Sequence, residues 1–216
     1  MKKTGINNLF FLFIILSILY LTSEFIFKKI INYDLLLFNT LSEELAHEQV
    51  EKLINGQKKL VWIEYFIIPL IILIRSCLVA LCLSLSVLVY HMESKIPFKY
   101  FFKITLLGEF VFVLVGYFKI YYFYFLKTEV TFKYIQEFYP LSYINFLNTE
   151  NIEPWLIYPL QTINLFEITY IFVLVYGLWK LLKNKFWKSF EMVVISYGSG
   201  LIIWLGLTMF LILNLT

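Results

Sequence analysis

Five runs of apolar side chains, each long enough to cross a bilayer, leave this chain few alternatives to a bundle of membrane-spanning helices. They cover 9–27, 66–90, 99–125, 156–180 and 190–213. About 20 apolar residues at 1.5 Å of rise match a hydrocarbon core of about 30 Å. The runs are too continuous for barrel strands, which alternate in segments of about ten residues. Backbone amides in lipid need partners within the protein, and an α-helix supplies them. The fold class expected is therefore all-α: a polytopic bundle of five spans, with interfacial helices in the first and third loops. The composition agrees, with 61% hydrophobic and 15% charged residues, where soluble domains carry about 25% charged. Residues 1–216 read as a single integral membrane domain in contact with the lipid bilayer.

The first run follows Lys2 and Lys3, as a signal peptide would. Its end, Leu21-Thr22-Ser23-Glu24, is a poor cleavage site and apolar character resumes to Phe27, so it reads as an uncleaved anchor. Lysines set the orientation. With the N-terminus in the cytoplasm, Lys2, Lys3, Lys95, Lys99, Lys103, Lys180, Lys183, Lys185 and Lys188 lie inside. The first loop balances its lysines with Asp34, Glu43, Glu44, Glu48 and Glu51, and the third offsets Lys127 and Lys133 with Glu129, Glu137, Glu150 and Glu153. The expectation is an N-terminus inside and a C-terminus outside. Trp62, Trp155, Trp179 and Trp187 fall at span edges, where indole is favoured, and Trp204 lies mid-span as a packing residue.

The first loop, 28–61, contains a segment that reads as an amphipathic connector helix. Ser42 stands at its start, Gly56 just past its end, and Leu41, Leu45, Val50, Leu53 and Ile54 share a face. The third loop, 127–155, is rich in Phe and Tyr on either side of Pro140, a composition that places two short helices at the headgroup level.

No catalytic set is legible. His47 and His91 fall outside the hydrocarbon on opposite sides, which excludes a histidine-based serine dyad around Ser196 to Gly200. No metal-ligand spacing and no glycine-rich phosphate loop is present, and Glu43-Glu44 lies in a loop without intramembrane histidines. No metal or other cofactor is expected, nor an enzyme. A net charge of +3 spread beside apolar runs excludes nucleic acid as a partner. Cys77 and Cys82 lie too far apart along one helix for a disulfide. Ser196 and Gly200, four residues apart, read as a small-residue helix contact.

What remains is charge inside the spans. Arg75, the only arginine, lies in the second run, Glu109 in the third and Glu167 in the fourth. An ionised group there is costly unless paired or facing a polar cavity. Counted from the inner helix ends, Arg75 and Glu167 are close in depth, so Glu167 is the expected partner and Glu109 the second choice. Asn164 shares a face with Glu167, Gln161 adds a further polar group, and Lys119 is available to neutralise the remaining acid. The cluster reads either as an interhelical ion pair that fixes register or as a proton- or ion-responsive site.

From Phe98 onward, the stretches Phe98-Lys99-Tyr100-Phe101-Phe102-Lys103, Leu107-Gly108-Glu109-Phe110, Asn164-Leu165-Phe166-Glu167-Ile168-Thr169-Tyr170 and Tyr176-Gly177-Leu178 precede a basic turn and a last span. This order resembles the YIP (Ypt-interacting protein) family of five-span membrane proteins and its bacterial relatives. The resemblance implies a non-enzymatic membrane-embedded interaction or scaffold component, whose partners are other membrane proteins or a second copy. Little arginine among much Lys, Ile, Asn, Phe and Tyr points to an AT-rich bacterial source and hence to an inner membrane. The competing expectation is a small transporter or permease component using Arg75, Glu109 and Glu167.

Overall fold

The structure is a computed structural model that describes residues 4–43, 45–90, 96–126 and 130–215. His91, Glu44, Glu129 and the topogenic Lys2, Lys3, Lys95 and Lys127 lie outside the described residues. The described residues form eight α-helices: α1 (Thr4–Ile30), α2 (Tyr33–Ser42), α3 (His47–Val89), α4 (Phe98–Phe125), α5 (Phe132–Glu137), α6 (Pro154–Thr162), α7 (Leu165–Leu182) and α8 (Phe186–Leu215). Two 3-10 turns, Tyr143–Phe146 and Thr149–Asn151, fill the segment before α6. Among the described residues five helices, α1, α3, α4, α7 and α8, are long and apolar enough to cross a membrane.

Helix α4 is the hub. It packs against α1, α3 and α7, while α8 closes the other side against α3 and α7. The main core lies within the α3–α4–α7–α8 bundle, where Ala80, Leu83, Phe101, Tyr170, Leu174, Leu178 and Met192 are buried. Helix α1 adds a separate seam on α4 through Leu16, Leu106 and Val113. Three glycine sites set the close approaches. A Cβ on Gly108 would stand 2.5 Å from the Tyr170 ring, one on Gly177 2.6 Å from Ile104, and one on Gly116 2.8 Å from the Ser23 hydroxyl. Helices without a mutual hydrophobic drive in lipid associate through such close packing.

Two expectations about the elements need correction. The connector helix is absent as a unit. Ser42 ends α2, its hydroxyl turned back onto the Phe38 carbonyl at 2.7 Å, and the chain restarts at His47 into a helix that continues through Gly56 and Pro69 to Val89. The polar stretch is rich in Glu, Gln, Lys and Leu, all good helix formers, and nothing within 4 Å competes at Gly56. Leu41, Val50 and Ile54 do pack together, with Leu37, but Leu45 and Leu53 are exposed.

The fourth run is interrupted. Asn164 takes an extended conformation between α6 and α7, and its side-chain oxygen accepts from the Glu167 amide at 2.7 Å. An N-cap asparagine offers the backbone this alternative to a continuous helix. The opposite strand of the break is the chain around Ser142, whose hydroxyl contacts the carbonyls of Leu160 (3.0 Å), Gln161 (3.1 Å) and Ile163 (3.3 Å). The spanning part is Leu165–Leu182.

Candidate functional site

Arg75 projects from the middle of α3 onto α4. Its Nε donates to Glu109 Oε1 at 3.0 Å and its Nη2 donates to Glu109 Oε2, a two-pronged ion pair. The same Nη2 also donates to the hydroxyl of Tyr20 on α1 at 2.9 Å. Phe112, one turn along α4 from Glu109, lies under the guanidinium with its ring centroid 4.4 Å from Cζ. One cation thus binds three helices together through a carboxylate, a phenol and an aromatic face. Bidentate charge-assisted bonds are among the strongest available to a side chain, and a ring face adds a cation–π contribution. Glu109 has 0% of its side chain exposed and Arg75 has 39%.

Glu109, the second choice from the sequence, is therefore the partner of Arg75, and Glu167 is not. The reason is lateral position. α3 packs directly against α4 and α8 but not appreciably against α7, so a side chain leaving the buried face of α3 meets α4 first. Depth counting contains no information about which helices are neighbours.

Glu167 sits in the first turn of α7 and accepts a hydrogen bond from the Tyr197 hydroxyl of α8. Among the described residues no cation lies within ion-pair distance of it; Lys119 rests instead 5.6 Å from the Tyr139 ring centroid. The two acids are nonetheless linked. Arg75 stacks on Phe112, whose ring is 4.8 Å from that of Tyr170, and Tyr170 in turn is 5.4 Å from Tyr197. A row of three aromatic rings connects the Arg75–Glu109 pair to Glu167. At its centre the Tyr170 hydroxyl is buried and has no hydrogen-bond partner among the described residues. Tyr139, in the loop beyond the spans, borders the row from the α5 side. Burial first, and then the nearby Glu167 carboxylate, raise its phenol pKa, so it stays a neutral donor.

Asn164 and Gln161 do not join this cluster. Asn164 Nδ2 donates to the Gln161 and Thr162 carbonyls at 2.9 and 3.1 Å, and Gln161 Nε2 donates to the Gln136 and Glu137 carbonyls at 2.8 and 2.9 Å. Both amides stabilise the break between α6 and α7. Gly200 faces Cys82, with a Cβ there 3.0 Å from the thiol sulfur, whereas the Ser196 hydroxyl donates to Met192 O within its own helix. Trp204 Nε1 donates to the Tyr158 hydroxyl at 3.1 Å and so ties α8 to α6. Tyr20, Phe112, Tyr170 and Tyr197 are site residues that charge counting overlooks, because neither a phenol nor a phenyl ring carries a charge to flag.

Comparison with known protein families, with curated proteins and with solved structures gives no match.

Proposed function

We propose that this chain is a non-enzymatic, membrane-embedded interaction or scaffold component of the YIP-like type, in a bacterial inner membrane with its N-terminus in the cytoplasm and its C-terminus outside. The observation that carries the reading is the closed Arg75–Glu109–Tyr20 contact. It commits the one intramembrane arginine to holding α1, α3 and α4 in fixed register, and a buried pair of this kind is well suited to specifying an arrangement of helices. An odd number of spans does not divide into two equal repeats of the kind on which alternating access is built. Crosslinking in native membranes tests the proposal: the chain should be captured with a defined membrane partner or with itself. A chain that stays monomeric and partnerless under all growth conditions overturns it.

A transport role is favoured by one observation, the acid without a cation. Glu167 and the unbonded Tyr170 hydroxyl share the interior of the bundle, and intramembrane acids of this sort mark ion or proton paths in pumps and transporters. Purified protein in liposomes decides between the two readings. Proton or solute flux that disappears in Glu167→Gln establishes transport, and absence of flux from both proteins removes it.

A further inference from the structure

The exposed side of α3 carries a row of Leu and Ile with a period of seven residues: Leu53, Leu60, Ile67, Ile74, Leu81 and Leu88. A second row, Ile71, Leu78 and Leu85, stands three residues before the last three of these. Together the rows fill the a and d positions of a heptad repeat, the period of a left-handed coiled coil. All nine side chains are exposed, by 44–66%. The far side of the helix, with Ser76, Ala80 and Leu83, is buried against the protein's own bundle. Pro69 shares the heptad position of Ser76 and Leu83, so it too lies away from the seam.

Inside the hydrocarbon, lipid accommodates exposed Leu and Ile, and that half of the seam says nothing of a partner. The other half does. Leu53 lies about 13 Å along the axis beyond the interfacial Trp62, beside Glu51 and Lys52, and Leu60 follows Lys58 and Lys59. The chain's own α2 covers Val50 and Ile54 and leaves both leucines bare. Between them the seam position is taken by Gln57, also exposed. A single polar side chain at such a position fixes the register of a coiled coil. The next seam position is Glu64, whose carboxylate is held by Lys28 at 2.6 Å, so it does not present a bare charge.

We propose that α3 pairs along this seam with α3 of a second copy of the chain. The proposal rests on the reading of the protein as an interaction component, and it names the partner and the surface. Two copies inserted with the same topology have parallel α3 helices. A two-fold axis along the membrane normal then sets each seam residue against its own counterpart. Leu or Ile meets its like in every layer of the longer row, and Gln57 meets Gln57, whose amide both donates and accepts. That self-complementarity selects a second copy over an unrelated helix. The area suffices as well. At on the order of 100 Å² for each half-exposed Leu or Ile, the seam offers about 900 Å² per copy, against about 800 Å² per partner in a standard interface.

The test uses the full-length protein in native membranes, with single cysteines in a Cys77→Ala/Cys82→Ala background and a membrane-permeant oxidant. Leu60→Cys, Ile67→Cys, Ile74→Cys and Leu81→Cys should each give a disulfide-linked dimer of this chain. Phe66→Cys and Leu73→Cys, exposed but off the seam, should give about tenfold less or lower. In liposomes, energy transfer between labelled copies reads the dimer directly. Leu53→Glu/Leu60→Glu should weaken it about tenfold or more, because like charges then oppose one another across the pair. Both positions are exposed, so the fold of the bundle is not at stake. Equal crosslinking on and off the seam, or undiminished pairing in the charged variant, overturns the proposal. A seam that does not crosslink in a chain still captured with a different membrane protein overturns the second copy and leaves the interaction reading standing. Absence of capture of any kind overturns both.

Discussion

Arg75 and Glu109 do not share their burial equally, and their substitutions should differ for that reason. Glu109 is fully enclosed, while Arg75 keeps part of a long side chain open and has a flexible stem. Removing Arg75 leaves an enclosed acid with only the Tyr20 hydroxyl for company; removing the acid leaves a cation that can reach outward. Arg75→Leu should therefore cost about 3–5 kcal/mol, the range for breaking a buried pair, and Glu109→Gln should cost less. Thermal unfolding in detergent measures both. The Arg75→Leu/Glu109→Leu variant should recover much of the loss, whereas Arg75→Leu/Glu167→Gln should recover little. Recovery by the Glu167 change instead would place the pair on α7 and contradict the arrangement described above. An Arg75→Leu protein as stable as the parent would show that the arginine reaches the interface and pairs with neither acid.

At the scale of the helices, packing turns on glycines that a search for small residues at four-residue spacing does not single out. Gly108 and Gly177 bring α4 and α7 together, each facing one large side chain of the other helix, Tyr170 and Ile104. Tyr170 is held in place by Phe112 and Tyr197, so it has little room to yield. Gly108→Ala should thus destabilise by about 1–3 kcal/mol, the usual range for overpacking. Gly56→Ala, with open space around it inside α3, should stabilise by up to about 1 kcal/mol through helix propensity. Asn164→Ala should cost about 1–2 kcal/mol as a lost cap and fray the start of α7, which amide exchange at Glu167 would register. The spans and the three charged positions were legible because apolar length and ionisation are properties of single segments. The pairing of those charges, the break at Asn164 and the aromatic row through Tyr170 were not. Each depends on which helix faces which, and apolar periodicity is nearly uninformative when lipid, like the core, accepts apolar side chains on every face.

The whole molecule is markedly asymmetric along the membrane normal. The connection between α7 and α8 is short, while the other end carries α2, α5, α6 and the polar first part of α3. From His47 to Phe66 that part of α3 extends about 28 Å at 1.5 Å per residue, and it bears Glu48, Glu51, Lys52, Lys58 and Lys59. Such a segment belongs in water or at the headgroups, so the bulky end must lie wholly on one side. In the proposed orientation the lysines of the short α7–α8 connection lie in the cytoplasm, and the bulky end then faces outward. Single cysteines in a Cys77→Ala/Cys82→Ala background test this. Glu48→Cys, at a position 81% exposed, reports the bulky end, and Lys185→Cys, also exposed, reports the short turn. A membrane-impermeant maleimide added to intact cells should label Glu48→Cys at once and Lys185→Cys only after permeabilisation. The reverse pattern would invert the bundle in the membrane, while labelling of both in intact cells would mean that the short turn and the bulky end are not separated by the bilayer.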